Sequence, residues 1–506
     1  MDPDLGTELF ESLGLDALLP ESLSAWRPLL LEGMAFFLDR LPEARFGAIV
    51  AEQLALAASV SAAARATALL ARCPTLHKLG QVVARQPGLD AELRRHLQAL
   101  ESLPASTDGG ALHARIRAEL GAGHGLHLAD RALAEGSVAV VLPFSWRQDG
   151  RSHEGVFKAL KPGIGERLAE ELAILPALGD FLERRGAEFG LPAIDYRSHL
   201  AAASRLLVQE IRLDREQANL RAASALLAAD TDVFVPALLP WCTPALTAME
   251  RIDGPKLADA ALSAHESRRL GRALVGGLLA RPFWSCGEDA PFHGDLHGGN
   301  LLLAPDGRVA VLDWSLTARL SKAEREALVE VALAALALDA SRIMAGLAGL
   351  GLRDTRAAPI GATVEHALDT LVRSGRPLGF DWLVGLLDAL ALQGAGGFGE
   401  QLAVFRKSWL SLAGVLGDLG AGHDTDLPLL DLGLRHFAAE WPARLLAPAD
   451  SRAFSTHVST ADLLRAAANT WPAGLRYWLR LLGFAGAENR DARRADGKPT
   501  RLPQGL

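Results

Sequence analysis

The spacing of apolar and polar positions divides the chain into long helical stretches around two short strand-rich segments. In the first hundred residues, Leu19-Pro20-Glu21-Ser22 reads as a turn and cap. The Ala- and Leu-rich run Ala44–Arg72 has helical spacing, and Pro74 ends it. Ser102–Gly110 has the composition of a linker. The period then shortens. Ser137–Leu142 and Gly155–Leu160 are apolar runs on either side of a turn-like segment, Trp146–Glu154, which contains Asp149-Gly150, and together they predict a hairpin. Helices follow over about 165–186 and 198–229, and Leu246–Glu250 predicts a strand ahead of a turn at Asp253-Gly254. A second hairpin is predicted from Leu301–Ala304 and Arg308–Asp313 around Pro305-Asp306-Gly307. From Lys322 to about Trp478 the pattern is helical again, with Trp409, Trp441, Trp471 and Trp478 expected as core or helix-packing residues. The order of elements predicts an α+β protein of two lobes with helical segments before and after them.

Composition narrows the function classes. The 506 residues are 49% hydrophobic and 22% charged, as in an ordinary globular protein, and the net charge of −8 does not suggest a nucleic-acid-binding face. The three cysteines, Cys73, Cys242 and Cys286, are far apart and form no C-x-x-C pair, so neither a disulfide framework nor a zinc site is expected. The chain opens with Asp2, Asp4 and Glu8 in place of a basic signal-peptide start. Its most apolar long stretch, Leu328–Leu352, is broken by Glu330, Asp339 and Arg342. A cytoplasmic protein with at most a peripheral membrane contact is expected.

The candidate chemistry lies in Phe292-His-Gly-Asp-Leu-His-Gly-Gly-Asn300 and Val311-Leu-Asp-Trp314. Gly298 and Gly299 are expected to turn the chain sharply and bring Asn300 back under Asp295, and the hairpin to return Asp313 to the same edge. Asn300 and Asp313 then supply the oxygen ligands that Mg2+ prefers, while Asp295 can orient or deprotonate an attacking hydroxyl.

These motifs resemble the catalytic and metal-binding loops of the protein-kinase-like superfamily, and further motifs resemble its UbiB/AarF/ADCK atypical branch. Lys78-Leu-Gly-Gln81 is similar to that branch's K-x-G-Q motif, and Val156-Phe-Lys158-Ala-Leu-Lys-Pro162-Gly163 to its lysine strand. Glu210 with Glu216-Gln-Ala-Asn219 resembles its E-x-D…E-A-x-N helix, and Met249–Gly254 its hinge. The resemblance covers about residues 70–350. It implies a two-lobed protein-kinase-like fold with an N-terminal extension carrying K-x-G-Q over 1–110, an N-lobe over 111–250 and a C-lobe over 251–420; the helical pattern adds a C-terminal helical extension over 421–487, and the charged, Pro- and Gly-bearing composition predicts a disordered tail over 488–506.

The resemblance also implies ATP and Mg2+ as cofactors. Lys158 contacts the phosphates, and Glu216 or Glu210 pairs with it. Ser137 lies in the loop over the nucleotide and Glu250 at the hinge. Lys78 and Gln81 project toward the site. The implied activity is ATP hydrolysis or γ-phosphoryl transfer to a small-molecule, lipid or peptide substrate in a biosynthetic pathway, with a biosynthetic protein as potential partner. A nucleotide-binding scaffold and an aminoglycoside-phosphotransferase-like small-molecule kinase are the alternatives.

The Asp295 loop reads Gly-Asp-Leu-His-Gly-Gly where the family usually has Ala-Asp-Pro-His-Pro-Gly, and the chain departs from the family pattern at three further places. Glu135 brings a negative charge to the nucleotide loop, Arg212 stands at the aspartate of E-x-D, and Ser315 replaces the glycine after Asp313-Trp314. The first two favour the scaffold reading. The third removes a glycine's freedom. His124, His127 and His423-Asp-Thr-Asp426 are weaker candidates, read as linker and loop residues.

Overall fold

The computed structural model describes residues 21–57, 59–83, 95, 108–121, 125–230, 232–352, 358–375, 378–392, 398–420 and 425–481. The expected tail over 488–506 lies outside them, as do His124, His423 and the side chain of Gln81. Two compact units divide the chain. The first comprises residues 1–224, 235–256 and 310–316, and the second comprises 225–234, 257–309 and 317–506.

The first unit opens with helices α1 (Arg27–Asp39), α2 (Glu43–Ala55), α3 (Ala62–Arg72) and α4 (Pro74–Val83). The single helix expected over Ala44–Arg72 is therefore two. The backbone turns extended at Leu56, and Ser61 restarts the helix by accepting the Ala64 N–H. Pro74 opens α4, where its missing N–H costs nothing. Asp108 caps α5 (Gly109–Leu120), so Gly109 and Gly110 are helical and not part of a linker.

The sheet comprises β1 (His127–Leu128), β2 (Ala134–Glu135), β3 (Ala139–Gln148), β4 (Arg151–Leu160) and, after β5 (Val233–Phe234) of the second unit, β6 (Leu246–Glu250). Its order is β1-β3-β4-β6, all antiparallel, with β2 also on β3. The turn expected over Trp146–Glu154 shrinks to Asp149 and Gly150, both at positive φ (51° and 76°). Two successive left-handed residues suit a two-residue hairpin, so the ladder runs right up to them. Leu142, Phe144, Phe157 and Ala248 form a buried core on the sheet.

Helix α6 (Ile164–Glu188) packs Ile174, Leu175 and Leu178 against Phe37, Leu38 and Leu69 of the opening helices. Arg45 pairs with Glu170 and the buried Glu171, and Glu171 also accepts the Thr75 N–H. The stretch 198–229 forms two helices, α7 (Tyr196–Glu210) and α8 (Leu213–Leu227), with the break at Ile211-Arg212.

In the second unit, α9 (Ala264–Val275) precedes β7 (Asp289–His293). The second hairpin segment follows as β8 (Leu301–Leu303), a turn with Gly307 at φ 82°, and β9 (Val309–Val311), where the chain passes into the first unit at Ala310. Strand β10 (Thr317–Ser321) pairs antiparallel with β7, His293 opposite Thr317. The rest is helical: α10 (Lys322–Leu336), α11 (Ala340–Gly349), α12 (Ala358–Ser374), α13 (Phe380–Leu392), α14 (Glu400–Asp418), α15 (Asp426–Leu446), α16 (Thr460–Ala468) and α17 (Thr470–Leu481). Trp409 is buried, tilted against Phe380, as expected. The other three tryptophans are not core. Trp441, Trp471 and Trp478 are 52%, 86% and 60% exposed, because α15 and α17 turn these positions outward.

Gly155 sets how closely β4 packs. A Cβ there would lie 2.6 Å from the Phe144 ring and 2.8 Å from Leu239. Gly155→Ala is expected to lower unfolding stability by about 2 kcal/mol through overpacking, read as a shifted urea midpoint. An unshifted midpoint would show that the Phe144 ring moves aside freely.

Candidate active site

In the first unit, β4 carries Lys158 in register with Val141 on β3 and Thr247 on β6. A central strand fixes both the height and the face of the side chain. Helix α8 supplies Glu216, whose Oε1 accepts from Lys158 Nζ at 2.7 Å. Asp313, on the segment after β9, accepts from the same Nζ at 3.0 Å through Oδ1. Of the two glutamates considered for Lys158, Glu216 is the partner. Glu210 instead pairs with Lys78 Nζ at 2.5 Å and accepts a 3.4 Å hydrogen bond from the Ser137 hydroxyl. Lys78, Glu210 and Ser137 thus form a second cluster, joining α4 and α7 to the segment before β3.

One ammonium between two carboxylates sets the local charge. Burial alone would lower the Lys158 pKa, but Asp313 and Glu216 outweigh it and hold the ammonium well above its ordinary value. Burial pushes the Glu216 carboxyl up to about 7, with Lys158 opposing the shift and Asp313 adding to it. Burial would also raise Asp313, but Lys158 and hydrogen bonds from Ser315 hold its carboxyl well below the usual range. Glu216 Oε2 is buried with no hydrogen-bond partner among the described residues. With Glu216 ionised, the cluster carries one uncompensated negative charge.

The Asp313 segment is held by its own contacts. Asp313 is left-handed (φ 51°), a conformation that aspartate tolerates better than most residues. Its Oδ1 accepts the Ser315 N–H at 3.3 Å, and Asn219 on α8 donates to the Trp314 carbonyl at 2.9 Å. Trp314 is fully buried. Ser315 itself is not at positive φ, so the expected loss of glycine's freedom has no consequence there. The other departures are also balanced locally. Buried Glu135 pairs with Lys161 at 2.7 Å, and exposed Arg212 pairs with Asp214 at 2.7 Å. Glu250 ends β6 exposed, its Oε2 accepting the Ala237 N–H at 3.4 Å.

In the second unit, β7 ends at buried His293, whose Nδ1 accepts the Asp295 N–H at 3.4 Å. Asn300 Nδ2 donates to the Asp295 carbonyl at 3.1 Å, closing the loop as expected. The glycines act differently from expectation. Neither Gly298 nor Gly299 is at positive φ; they form a short 3-10 turn that His297 caps by accepting the Gly299 N–H at 3.1 Å. They are needed for space, because a Cβ on Gly299 would lie 2.9 Å from the His297 ring and one on Gly298 3.2 Å from Ala258.

Sequence reasoning missed Lys407, on α14, which pairs with Asp295 Oδ1 at 2.7 Å. One sequence signal was present. Only seven of the 52 basic residues are lysines, the rest being arginine. Lys78, Lys158, Lys161 and Lys407 each contact a carboxylate.

Asp313 and Asn300, each taken by itself, offer donors of the kind a magnesium ion takes. Asp313 is held ionised. The amide nitrogen of Asn300 is committed to a carbonyl, so its oxygen is the atom suited to a hard cation.

Residues 123–347 match the ABC1 atypical kinase-like domain family. An uncharacterized protein of Mycobacterium tuberculosis is 30% identical over 273 residues, covering 52% of this chain and 54% of the relative. A probable protein kinase UbiB of Xanthomonas euvesicatoria is 28% identical over 272 residues, covering 51% of this chain and 48% of the relative. The chain thus spans about half the length of these relatives. The solved erythromycin complex of the Mycobacterium tuberculosis protein Rv3197 is 19% identical with a TM-score of 0.48, covering 65% of this chain and 83% of that one.

Replacing Lys158 with methionine leaves Glu216 and Asp313 without their cation. Glu216 is raised above its ordinary value of 4.5, so its stabilising share is present below that value and is lost as pH rises through 7. The loss on Lys158→Met is therefore expected to be about 3 kcal/mol at pH 8 and smaller at pH 5.5, where Glu216 is protonated. Urea unfolding at the two pH values checks this. Equal losses would contradict it.

Proposed function

We propose, from the match of residues 123–347 to the ABC1 atypical kinase-like domain family and the likeness to UbiB proteins, that the protein binds Mg-ATP and transfers its γ-phosphoryl group, to an acceptor hydroxyl or to water. The observation that carries the reading is the cluster of Lys158, Glu216 and Asp313. Glu216 holds the ammonium where a phosphate can use it as a point charge. Asp313 and Asn300 would hold Mg2+, which when bound neutralises charge on the phosphates. Ser137 and Glu250 would line the nucleotide site, and Lys78 and Gln81 would border it.

In the proposed step, an acceptor oxygen forms a bond to the γ-phosphorus. The bond from that phosphorus to the β,γ-bridging oxygen breaks, ADP leaves, and the acceptor proton passes to the Asp295 carboxylate. The acceptor class stays open among small molecules, lipids and peptides, and a biosynthetic protein partner belongs to the same proposal. Among the described residues no helix is long and apolar enough to cross a membrane.

The scaffold alternative drew its support from Glu135 and Arg212. Their charges are matched by Lys161 and Asp214, which weakens that support. The small-molecule-kinase alternative gives Lys78 no role, whereas Lys78 is ion-paired to a motif glutamate.

Asp295→Asn is expected to keep the stabilisation of the protein by Mg-ATP while lowering phosphate release or transfer about 1,000-fold, measured on the same preparation. Unchanged function in cells with that substitution would favour the scaffold.

A further inference from the structure

Lys407 lies sixty residues beyond the end of the matched domain, yet its ammonium sits 2.7 Å from Asp295 Oδ1. Its place on α14 is fixed from both sides. Phe405 is fully buried and meets Phe292 of β7 edge to face at 4.7 Å, while Ser408 and Trp409 are buried just after it. Near the start of the same helix, Gln401 accepts the Arg319 N–H at 2.7 Å, tying α14 to β10. The lysine therefore emerges from a helix packed on β7, the strand that ends at His293, two residues before Asp295.

Stability does not account for the pair. The Lys407 side chain is 41% exposed and that of Asp295 20%, and ion pairs this open contribute little to folding. Function does account for it. A carboxylate that must face an incoming hydroxyl needs a fixed orientation, and an anionic phosphoryl group approaching a carboxylate meets repulsion that a neighbouring ammonium offsets.

We propose that Lys407 is a positioning residue for Asp295, contributed by a helix beyond the segment that matches the ABC1 family. It rests on the phosphoryl-transfer reading above. The ammonium orients the carboxylate for the acceptor hydroxyl and offsets the charge that builds up as the phosphoryl group arrives. The acceptor's proton still passes to Asp295; Lys407 keeps its own.

The test uses full-length K407M, K407R, D295N and the K407M/D295N double variant, with Mg-ATP and phosphate release as the readout. K407M is expected to lower kcat about 100-fold with the KM for Mg-ATP within about twofold of wild type, and K407R to recover most of the loss. The double variant is expected to be no slower than D295N alone, because Lys407 acts through Asp295. Wild-type turnover in K407M, or losses that multiply in the double variant, would overturn the role while leaving the phosphoryl-transfer reading intact. A wild type without any turnover would overturn that reading itself, and this role with it.

Discussion

Two carboxylates around one partly buried ammonium form the constraint to which the first unit is built. Lys158 needs a central strand to hold its height, and β4 is held between β3 and β6. Glu216 needs a helix that begins at the right point, which the break at Ile211-Arg212 provides. Asp313 needs a left-handed backbone and a fixed following segment, which the Asn219 amide and the buried Trp314 ring supply. Glu216, the buried member, could not stay charged there without Lys158 beside it. Together the three are stable and still lack one positive charge when Glu216 is ionised. That is the electrostatic condition under which a divalent cation and a lysine-bound phosphate complement each other.

The same economy recurs around the site. Lysine is scarce in this chain, and Lys78, Lys161 and Lys407 each meet a carboxylate: Glu210, Glu135 and Asp295. The Glu135 and Arg212 departures look like obstacles to nucleotide binding when read as isolated letters. Within the fold each has a local counter-ion, so neither presents an unbalanced charge. The Lys78–Glu210 pair also ties the opening helices to the motif helices of the same unit.

Much of this was legible in the sequence. The Asp306-Gly307 and Asp149-Gly150 turns marked both hairpins, the apolar run before Lys158 marked its strand, and the order of motifs carried the family resemblance. Where sequence reading fell short, the cause was tertiary. A helical period runs on unbroken past Leu56, because the break there depends on backbone geometry and a serine cap. The role of Gly298 and Gly299 is spatial, set by the His297 ring and Ala258, and no local pattern carries that. The choice between Glu210 and Glu216 depended on which helix face met β4. Lys407 could not be tied to Asp295 across 112 residues by any period or spacing. Three C-terminal tryptophans at helical spacing read as core or helix-packing residues; they are exposed, because periodicity shows a face without showing what covers it.

The central claim is that the cluster around Lys158 is a magnesium-dependent nucleotide site. Thermal unfolding of the wild type and of Asp313→Asn, with ATP or ADP and with or without magnesium, tests it most directly. At about 100 times the dissociation constant a ligand adds roughly 2.7 kcal/mol of stability, enough to move the midpoint measurably. The account predicts a nucleotide-induced rise that requires magnesium in the wild type and disappears in Asp313→Asn. A rise of the same size without magnesium, or one that survives the substitution, would contradict it.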